Sequence, residues 1–309
     1  MTMLFLIAAF LSQASYAFDT HVLDGQYENE AEFYRIPSKP YDILPATASE
    51  TQKLNAVNYP ALSTATLKKL KRTGTWAFKF VLIRNDGSEQ IISEYRSDAL
   101  MKPASTLKLF TAWMGFSKNE SKSELEAMLK KSDNYAAATM LDTLGGKKQM
   151  IHFYRENEIL TGNEFKILDG NGYSHSNRLS VESEIKLLTS IYQSNEYPRF
   201  KELMAQPGQV GTLKKRFNDL STPIYAKTGT LYDTTALAGY AETEQGTLIF
   251  SVIVNALKPM MVQTKDALGR ETQANVASSN AHPAVNSLLL DHITFSATCA
   301  TLAECPIQK

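Results

Sequence analysis

The sequence has little cysteine, no excess of either charge and no long apolar run. Its 309 residues include two cysteines, Cys299 and Cys305, both at the extreme C-terminus. Lysine plus arginine and aspartate plus glutamate each number 32, so the formal net charge is zero. Like charges do not cluster beyond a few residues, which argues against a nucleic-acid partner.

Metal ligands are equally sparse. The five histidines are scattered without the spacing of a metal site, and neither cysteine lies near a catalytic motif. We therefore predict no metal site and assign no cofactor. The histidines are His21, His152, His175, His282 and His292.

The first seventeen residues resemble a secretory signal. An apolar run from Leu4 to Leu11 precedes Ser15-Tyr16-Ala17, with small residues at the two positions that a signal peptidase checks. The run is too short to span about 30 Å of hydrocarbon. It lacks a basic residue in front, so a short core helix or a membrane anchor is the alternative. We predict a signal peptide over 1–17, cleaved near Ala17, and no stable membrane anchor afterwards.

The two cysteines fit an exported protein. A disulfide between Cys299 and Cys305 would tie down the C-terminal tail, with a gain of only about 2 kcal/mol for so short a loop. Such a bond indicates an oxidising compartment. Two free thiols are the alternative.

Strand patterns stand at both ends of the chain, and helical patterns lie between them. Residues 18–60 are polar and rich in proline, which predicts an extended N-terminal arm. Strands are predicted at Trp76–Ile83 and Gln90–Tyr95, joined by an Asn-Asp-Gly turn. Three more are predicted at Pro223–Ala226, Ala236–Glu242 and Thr247–Asn255, before a closing helix at His282–Phe295.

The region between the strands predicts helices that begin at serines. Ser105 stands at one helix start, Ser132 is a candidate cap for a helix over 135–144, and Ser180 for another that ends near Tyr192. The expected fold is α/β of the α+β type: one antiparallel five-stranded sheet built from both ends of the chain, flanked by helices, beside an all-helical lobe. We place the α/β lobe at 61–104 and 206–309 and the helical lobe at 105–205, as one catalytic unit with a cleft between the lobes.

The tetrad Ser105-Thr106-Leu107-Lys108 is a candidate nucleophile and base. Three residues apart on a helix, the two side chains share a face. A lysine can take the serine proton when its pKa is lowered, and the N–H of Ser105 is free to donate to an oxyanion. The pattern is weak alone, because Ser183-Glu184-Ile185-Lys186 repeats it and Ser105 could be an ordinary helix cap.

Two further motifs separate these copies. Ser132-Asp133-Asn134 supplies a hydroxyl and a carboxamide, and Lys227-Thr228-Gly229 occurs once in the chain. Only Ser105 is followed by both in the order that marks class A β-lactamases and penicillin-binding proteins. Gly229 is expected to let a substrate lie against the edge of its strand.

Over roughly residues 75 to 255 the chain resembles the D-alanyl-D-alanine carboxypeptidase/endopeptidase family, the class C low-molecular-mass penicillin-binding proteins. The family's large insertion after the nucleophile helix is missing here, and His175 stands where the family usually has Arg. The resemblance rests on Lys102-Pro-Ala-Ser-Thr-Leu-Lys108, Ser132-Asp-Asn134, Asp169-Gly-Asn-Gly172 with Ser174 and Asn177-Arg-Leu-Ser180, Gly211-Thr-Leu-Lys-Lys-Arg-Phe217, and Ala226-Lys-Thr-Gly-Thr-Leu231 with Leu237-Ala-Gly-Tyr240.

The resemblance implies a periplasmic enzyme with a penicillin-binding/β-lactamase-like transpeptidase fold. Its partners would be peptidoglycan stem peptides, with β-lactams as covalent inhibitors. Ser105 would attack the D-Ala-D-Ala bond with Lys108 as base, and the N–H groups of Ser105 and Thr230 would form the oxyanion hole. Ser132 would relay a proton to the leaving amine, and Asn134 would hold the substrate amide.

The strand motif would bind the substrate's terminal carboxylate. The resemblance gives this role to Lys227, Thr228 and Thr230, and Lys227 would also help to keep Lys108 neutral.

Two alternatives stay open. A class A β-lactamase needs a deacylating Glu in a Glu-x-x-Leu-Asn stretch after Ser-Asp-Asn, and none follows here; Thr51-Gln-Lys-Leu-Asn55 precedes the nucleophile and lacks the Glu. A non-catalytic peptidoglycan or β-lactam sensor of the same fold is the other.

Overall fold

The computed structural model describes residues 74–162, 165–257, 261–265, 271–275 and 277–298, all within one compact unit. The signal peptide, the N-terminal arm and the pair Cys299 and Cys305 lie outside the described residues. Those expectations and the lobe boundaries therefore stay predictions.

Strands and helices alternate in three blocks along the chain. In order they are β1 (Thr75–Arg84), β2 (Glu89–Tyr95), a 3-10 turn (Ala104–Leu107), α1 (Lys108–Ser117), α2 (Lys122–Lys130), α3 (Asn134–Thr143), α4 (Gly146–Glu156), β3 (Phe165–Lys166), β4 (Arg178–Leu179), α5 (Val181–Gln193), α6 (Tyr197–Lys201), β5 (Ile224–Leu231), β6 (Thr234–Thr243), β7 (Gly246–Asn255), β8 (Met261–Lys265), β9 (Glu271–Asn275) and α7 (Ala277–Thr298).

Five of the strands form one antiparallel sheet in the order β2-β1-β7-β6-β5. The predicted assembly from both ends of the chain is confirmed, since β1 pairs with β7 along their whole length. Every residue of β7 is buried, as its run of β-branched and aromatic side chains predicts for a central strand. β5 lies at one edge, where half of its backbone groups face away from the sheet.

Each face of the sheet carries its own apolar core. One face packs with the helices α1–α6, through residues such as Val81, Leu107 and Ile249. The other packs against α7, through residues such as Phe80, Phe250 and Leu288. The helical region and the sheet thus share a continuous interior on the first face. No helix among the described residues is both long and apolar enough to cross a bilayer.

Several predicted boundaries were wrong. The strand expected at Pro223–Ala226 runs from Ile224 to Leu231, because its polar half continues the pairing with β6. The C-terminal helix begins at Ala277, and the β8-β9 hairpin before it was not predicted. The second half of β5 and the β8-β9 hairpin are polar, so they lack the apolar alternation that predicts a strand. Pairing with a neighbouring strand stabilises them instead.

Candidate active site

The nucleophile candidate lies in the 3-10 turn that leads into α1. Ser105 is half-buried and is the second residue of this turn. Because it lies in the first turn, its N–H has no acceptor within the helix. Ala104, just before it, adopts a positive φ of 51°. A left-handed conformation in a non-glycine residue is strained and persists only where its surroundings hold it. The turn is therefore fixed by packing from both sides.

Lys108 makes three polar contacts at the bottom of this turn. Its Nζ lies 2.8 Å from Oγ of Ser105, 2.7 Å from Oδ1 of Asn134 and 2.6 Å from the carbonyl oxygen of Asn171. The side chain is fully buried, and burial lowers the pKa of Lys108 to about 8, although Asp169 and Asp133 raise it. About a tenth of the lysine is then neutral at pH 7, far more than for a lysine at its usual pKa.

The second lysine of the site is buried as completely as the first. Lys227 Nζ donates to Oγ of Ser132 at 2.8 Å and to the carbonyl oxygen of Thr228 at 2.6 Å. Burial lowers the pKa of Lys227 well below its usual value, and the charge on Lys108 lowers it further. The repulsion between the two ammonium groups disfavours the charged form of each, so the expectation that Lys227 helps to keep Lys108 neutral stays a prediction.

Ser132 stands just outside its helix and does not cap it. The cap of α3 is Asp133, whose carboxylate accepts from the N–H of Ala136 at 3.0 Å. Ser132 has a positive φ of 62° instead, which turns its hydroxyl toward Lys227. The predicted serine cap was wrong because the adjacent aspartate is an equally good capping residue.

A loop after β3 closes the site on the side of Lys108. Asp169 accepts from the N–H groups of Gly172 and Ser174, both at 2.7 Å, and from Nδ2 of Asn177 at 2.9 Å. Gly172 has a φ of +77°, and a Cβ there would lie 1.8 Å from the carbonyl oxygen of Ala104. The loop can approach the nucleophile turn only with glycine at this position. It brings the Asn171 carbonyl to Lys108.

No role was predicted for that loop. Asn171 contributes a backbone carbonyl, and a backbone contact leaves no mark on residue type. The Asp-Gly-Asn-Gly stretch was the available signal, because aspartate and glycine at these positions predict a tight turn.

The outer edge of β5 faces the nucleophile turn. The N–H of Ala226 donates outward to the carbonyl of Ala205 at 3.0 Å, so by strand alternation the N–H groups of Thr228 and Thr230 also point away from β6. A Cβ on Gly229 would lie 2.8 Å from the carbonyl oxygen of Pro103. Glycine at this position lets the nucleophile turn pack against β5. The sequence had predicted that it makes room for a substrate instead.

The structure thus gathers the predicted residues into two linked groups. Lys108 joins Ser105 to Asn134, and Lys227 joins Ser132 to the backbone of Thr228. Thr230, exposed, lies two residues further along the same edge strand.

The competing serine tetrad lies elsewhere. Ser183 is buried at the start of α5, where the cap residue Ser180 accepts from its N–H at 3.1 Å. Within the described parts of the chain, no group of three or more histidine, cysteine or acidic side chains could hold a metal.

The sequence is similar to one family of known proteins. The family model of the D-Ala-D-Ala carboxypeptidase 3 (S13) family matches residues 119–277, more than half of the chain. The chain belongs to this family. The matched S13 region contains Ser132, Asn134 and Lys227, and Ser105 and Lys108 lie just before it. Membership places the chain among serine-type peptidases, a class of hydrolases.

Solved structures similar to this S13 chain share its fold. A β-lactamase from Sphaerobacter thermophilus has a TM-score of 0.55 at 14% identity, covering 79% of this chain and 99% of that one. A β-lactamase from Chitinophaga pinensis has 0.51 at 14% identity, covering 76% and 98%. The fold is therefore that of β-lactamases and penicillin-binding enzymes, as predicted.

A third solved structure is a partial match. Penicillin-binding protein 4 from Haemophilus influenzae, solved in complex with a β-lactam, has a TM-score of 0.44 at 21% identity. The match covers 55% of this chain and 40% of that one. No curated protein sequence matches this S13 chain significantly.

Proposed function

We propose that this protein is a periplasmic serine D,D-carboxypeptidase/endopeptidase, which cleaves D-Ala-D-Ala or D-Ala-linked peptides of peptidoglycan through an acyl-enzyme on Ser105. The observation that carries the proposal is the set of three contacts at Nζ of Lys108. β-Lactams would acylate the same serine, because their strained amide presents a carbonyl to the same nucleophile.

The contacts of Lys108 suit a general base aimed at Ser105. The carbonyl oxygens of Asn134 and Asn171 can only accept hydrogen bonds. A neutral amine has two N–H donors and one lone pair, so its donors satisfy those two oxygens and its lone pair is left for the hydroxyl of Ser105. The proton of Ser105 then moves to Lys108 as its oxygen attacks the carbonyl carbon.

Backbone donors and the second lysine would complete the first half-reaction. The N–H groups of Ser105 and Thr230 would stabilise the oxyanion. Ser132, held by Lys227, would relay the proton from Lys108 to the leaving amine, whose departure breaks the peptide bond and leaves the acyl group on Ser105. Water would then hydrolyse this ester and restore the Ser105 hydroxyl. Lys227, Thr228 and Thr230 would hold the carboxylate of the departing D-alanine, and Asn134 the amide on the acyl side.

Deacylation of a penicilloyl group should be slow. The acidic groups that influence Lys108 are Asp169 and Asp133, and each is occupied by backbone donors. A carboxylate used in this way is a poor base for water. This supports a peptidase that penicillin inhibits, over a β-lactamase.

The test measures D-alanine release from a pentapeptide ending in D-Ala-D-Ala, together with the intact mass after benzylpenicillin. We expect wild type to release D-alanine and to carry one persistent penicilloyl group, and Ser105→Ala to do neither. Removal of the attacking oxygen leaves no covalent route, so the loss should be complete.

Matched controls separate this proposal from its rivals. Ser183→Ala, in the competing tetrad, should retain both activities. Rapid turnover of benzylpenicillin by wild type would favour a β-lactamase. Peptide binding without release by either wild type or Ser105→Ala would favour a sensor.

A further inference from the structure

A fully buried carboxyl group lies behind the nucleophile turn and belongs to none of the roles above. Glu184, in the first turn of α5, has no solvent-exposed surface. Its Oε1 lies 2.5 Å from Oγ1 of Thr106, and its Oε2 accepts from Oγ of Ser251 at 2.6 Å. The carboxyl group therefore bridges the central strand β7 and the residue next to Ser105.

The hydrogen count at Thr106 shows which form of Glu184 fits. The Thr106 hydroxyl has one hydrogen but two oxygen neighbours, since the carbonyl of Pro103 lies 2.7 Å away on the other side. Both contacts are hydrogen bonds only when that hydrogen goes to Pro103, because a carbonyl can only accept. The contact between Thr106 and Glu184 then needs a hydrogen from the carboxyl group. A neutral carboxylic acid supplies it, and a carboxylate does not.

This chain of hydrogen bonds ends at the strained part of the nucleophile turn. Pro103 precedes Ala104, which has the positive φ, and its carbonyl oxygen packs against Gly229. A strained backbone needs rigid support on both sides. The bridge from Ser251 through Glu184 and Thr106 provides that support from the side of β7.

We propose that Glu184 is a positioning residue that, as a neutral acid, holds the turn carrying Ser105, and that loosens this turn when it ionises. Ionisation would draw the Thr106 hydroxyl hydrogen away from Pro103 and onto the carboxylate. The effect on acylation rests on the proposed function of Ser105.

The surroundings place this change in the neutral range of pH. Burial raises the pKa of Glu184 to about 7, although the hydroxyl groups of Ser251 and Thr106 lower it. β7 offers it the hydroxyl of Ser251 and the 3-10 turn that of Thr106. Charged side chains on the elements around it include Lys79 and Arg84 of β1, Glu89 and Glu94 of β2, Lys108 of α1, Glu182 and Lys186 of α5 itself, and Arg199 and Lys201 of α6. Lys79 is paired with Glu182 at 2.8 Å and with Glu94 at 3.3 Å.

The first test compares acylation by benzylpenicillin in wild type and Glu184→Gln from about pH 5.5 to about pH 8.5. Glutamine donates to Thr106 and accepts from Ser251, so it mimics the neutral acid at every pH. We expect equal rates at the acidic end and a rate roughly tenfold higher for Glu184→Gln at the alkaline end, as for a misplaced nucleophile. The ratio of the two rates should change around pH 7.

A ratio that stays constant with pH would overturn the proposal, because a merely structural role gives the same ratio throughout. Glu182→Gln is the matched control on the same helix, and its rate relative to wild type should not change around pH 7. Thr106→Val removes the link itself. It should slow acylation most at the acidic end, where the bridge is intact.

Amide hydrogen exchange of residues 104–107 provides a readout that needs no activity. After correction for the intrinsic exchange rate, protection in wild type should fall as pH rises through about 7. Constant protection would contradict the proposal even where Glu184→Gln fails to fold. If wild type takes up no penicillin at any pH, the proposed function fails, and hydrogen exchange still decides the role of Glu184.

Discussion

Both faces of the central sheet bury titratable side chains. The pKa values lie near neutral pH on one face and far below it on the other. On the face of α1–α6, the pKa of Lys108 is lowered to about 8 and that of Glu184 is raised to about 7. On the face of α7, the pKa values of His282 and His292 are lowered to about 4. Lys108 and Glu184 therefore each titrate within about one unit of neutral pH, whereas both histidines are neutral there.

Burial is the largest cause of all four shifts, so it does not explain the difference alone. Burial penalises the charged form of any group. It therefore moves a lysine down toward neutrality and a glutamate up toward it, and it moves a histidine, which begins near neutrality, away. The choice of residue type decides whether a buried position becomes reactive or silent.

His292 shows the silent case in detail. Its ring stacks on Phe80 with the ring centres 3.6 Å apart and an angle of 7° between the planes. The ring nitrogens contact the hydroxyl of Ser93 and, at 2.7 Å, the carbonyl of Leu288. Both polar atoms are satisfied within the core, so the residue contributes packing.

The largest effect is expected when a buried amine is removed from the active face, which is the face of the sheet that packs against α1–α6. Lys227→Met should reduce acylation by roughly 10²–10³-fold, because Ser132 and the substrate carboxylate lose their partner. The free energy of unfolding should stay the same or rise, since an apolar side chain of similar size avoids the cost of burying an amine. Acylation kinetics and urea unfolding measure the two quantities.

Lys186→Met is the control for this change, because Lys186 belongs to the competing tetrad. It should alter neither acylation nor unfolding by much. A large loss of stability in Lys227→Met would show that the lysine has a structural role as well.

The next effect is the pH dependence of the free energy of unfolding that Glu184 causes. The pKa of Glu184 rises from 4.5 in the unfolded chain to about 7 in the fold, so the unfolded state releases its proton first as pH increases. Wild type should therefore lose on the order of 3 kcal/mol of unfolding free energy between about pH 4.5 and 7, and no more above that range. Glu184→Gln should lack this loss. Urea unfolding at several pH values tests it, and parallel curves for the two proteins would refute it.

The smallest effect belongs to the silent face. His292→Gln should lower the free energy of unfolding by about 1 kcal/mol at neutral pH through loss of the ring stack, and leave acylation unchanged. The pKa of His292 is lowered from 6.5 to about 4, so wild type loses its contribution as pH falls through this window. The variant should lose less stability in acid. An altered acylation rate would break the comparison, since it would couple the two faces.

Much of the fold could be predicted from patterns of residue type. Alternating apolar runs marked four of the five sheet strands closely, and Ser180 was correctly predicted as the cap of α5. The polar second half of β5 was missed because it is stabilised by pairing with β6, which no local pattern records. The cap of α3 was assigned to Ser132 for a different reason, because serine and the adjacent Asp133 are equally good capping residues.

The site residues were predicted in part. The order of three motifs selected Ser105 over Ser183, and the structure gives Ser183 an ordinary position beside the cap of α5. The competing tetrad nevertheless contains Glu184, whose place behind the nucleophile could not be inferred from it. A buried glutamate in an amphipathic helix looks like a surface residue in sequence, because burial is decided by what packs on it.

The sequence by itself determined the helical and strand segments, the family and the candidates for nucleophile, base and substrate contacts, since these depend on local spacing and residue chemistry. Only the tertiary structure decided that Lys108 meets the Asn171 carbonyl and that Glu184 supports Thr106. It also decided that burial sets the pKa values of both lysines. Protonation depends on solvent exclusion and on neighbours far away in the chain, and both exist only once the chain has folded.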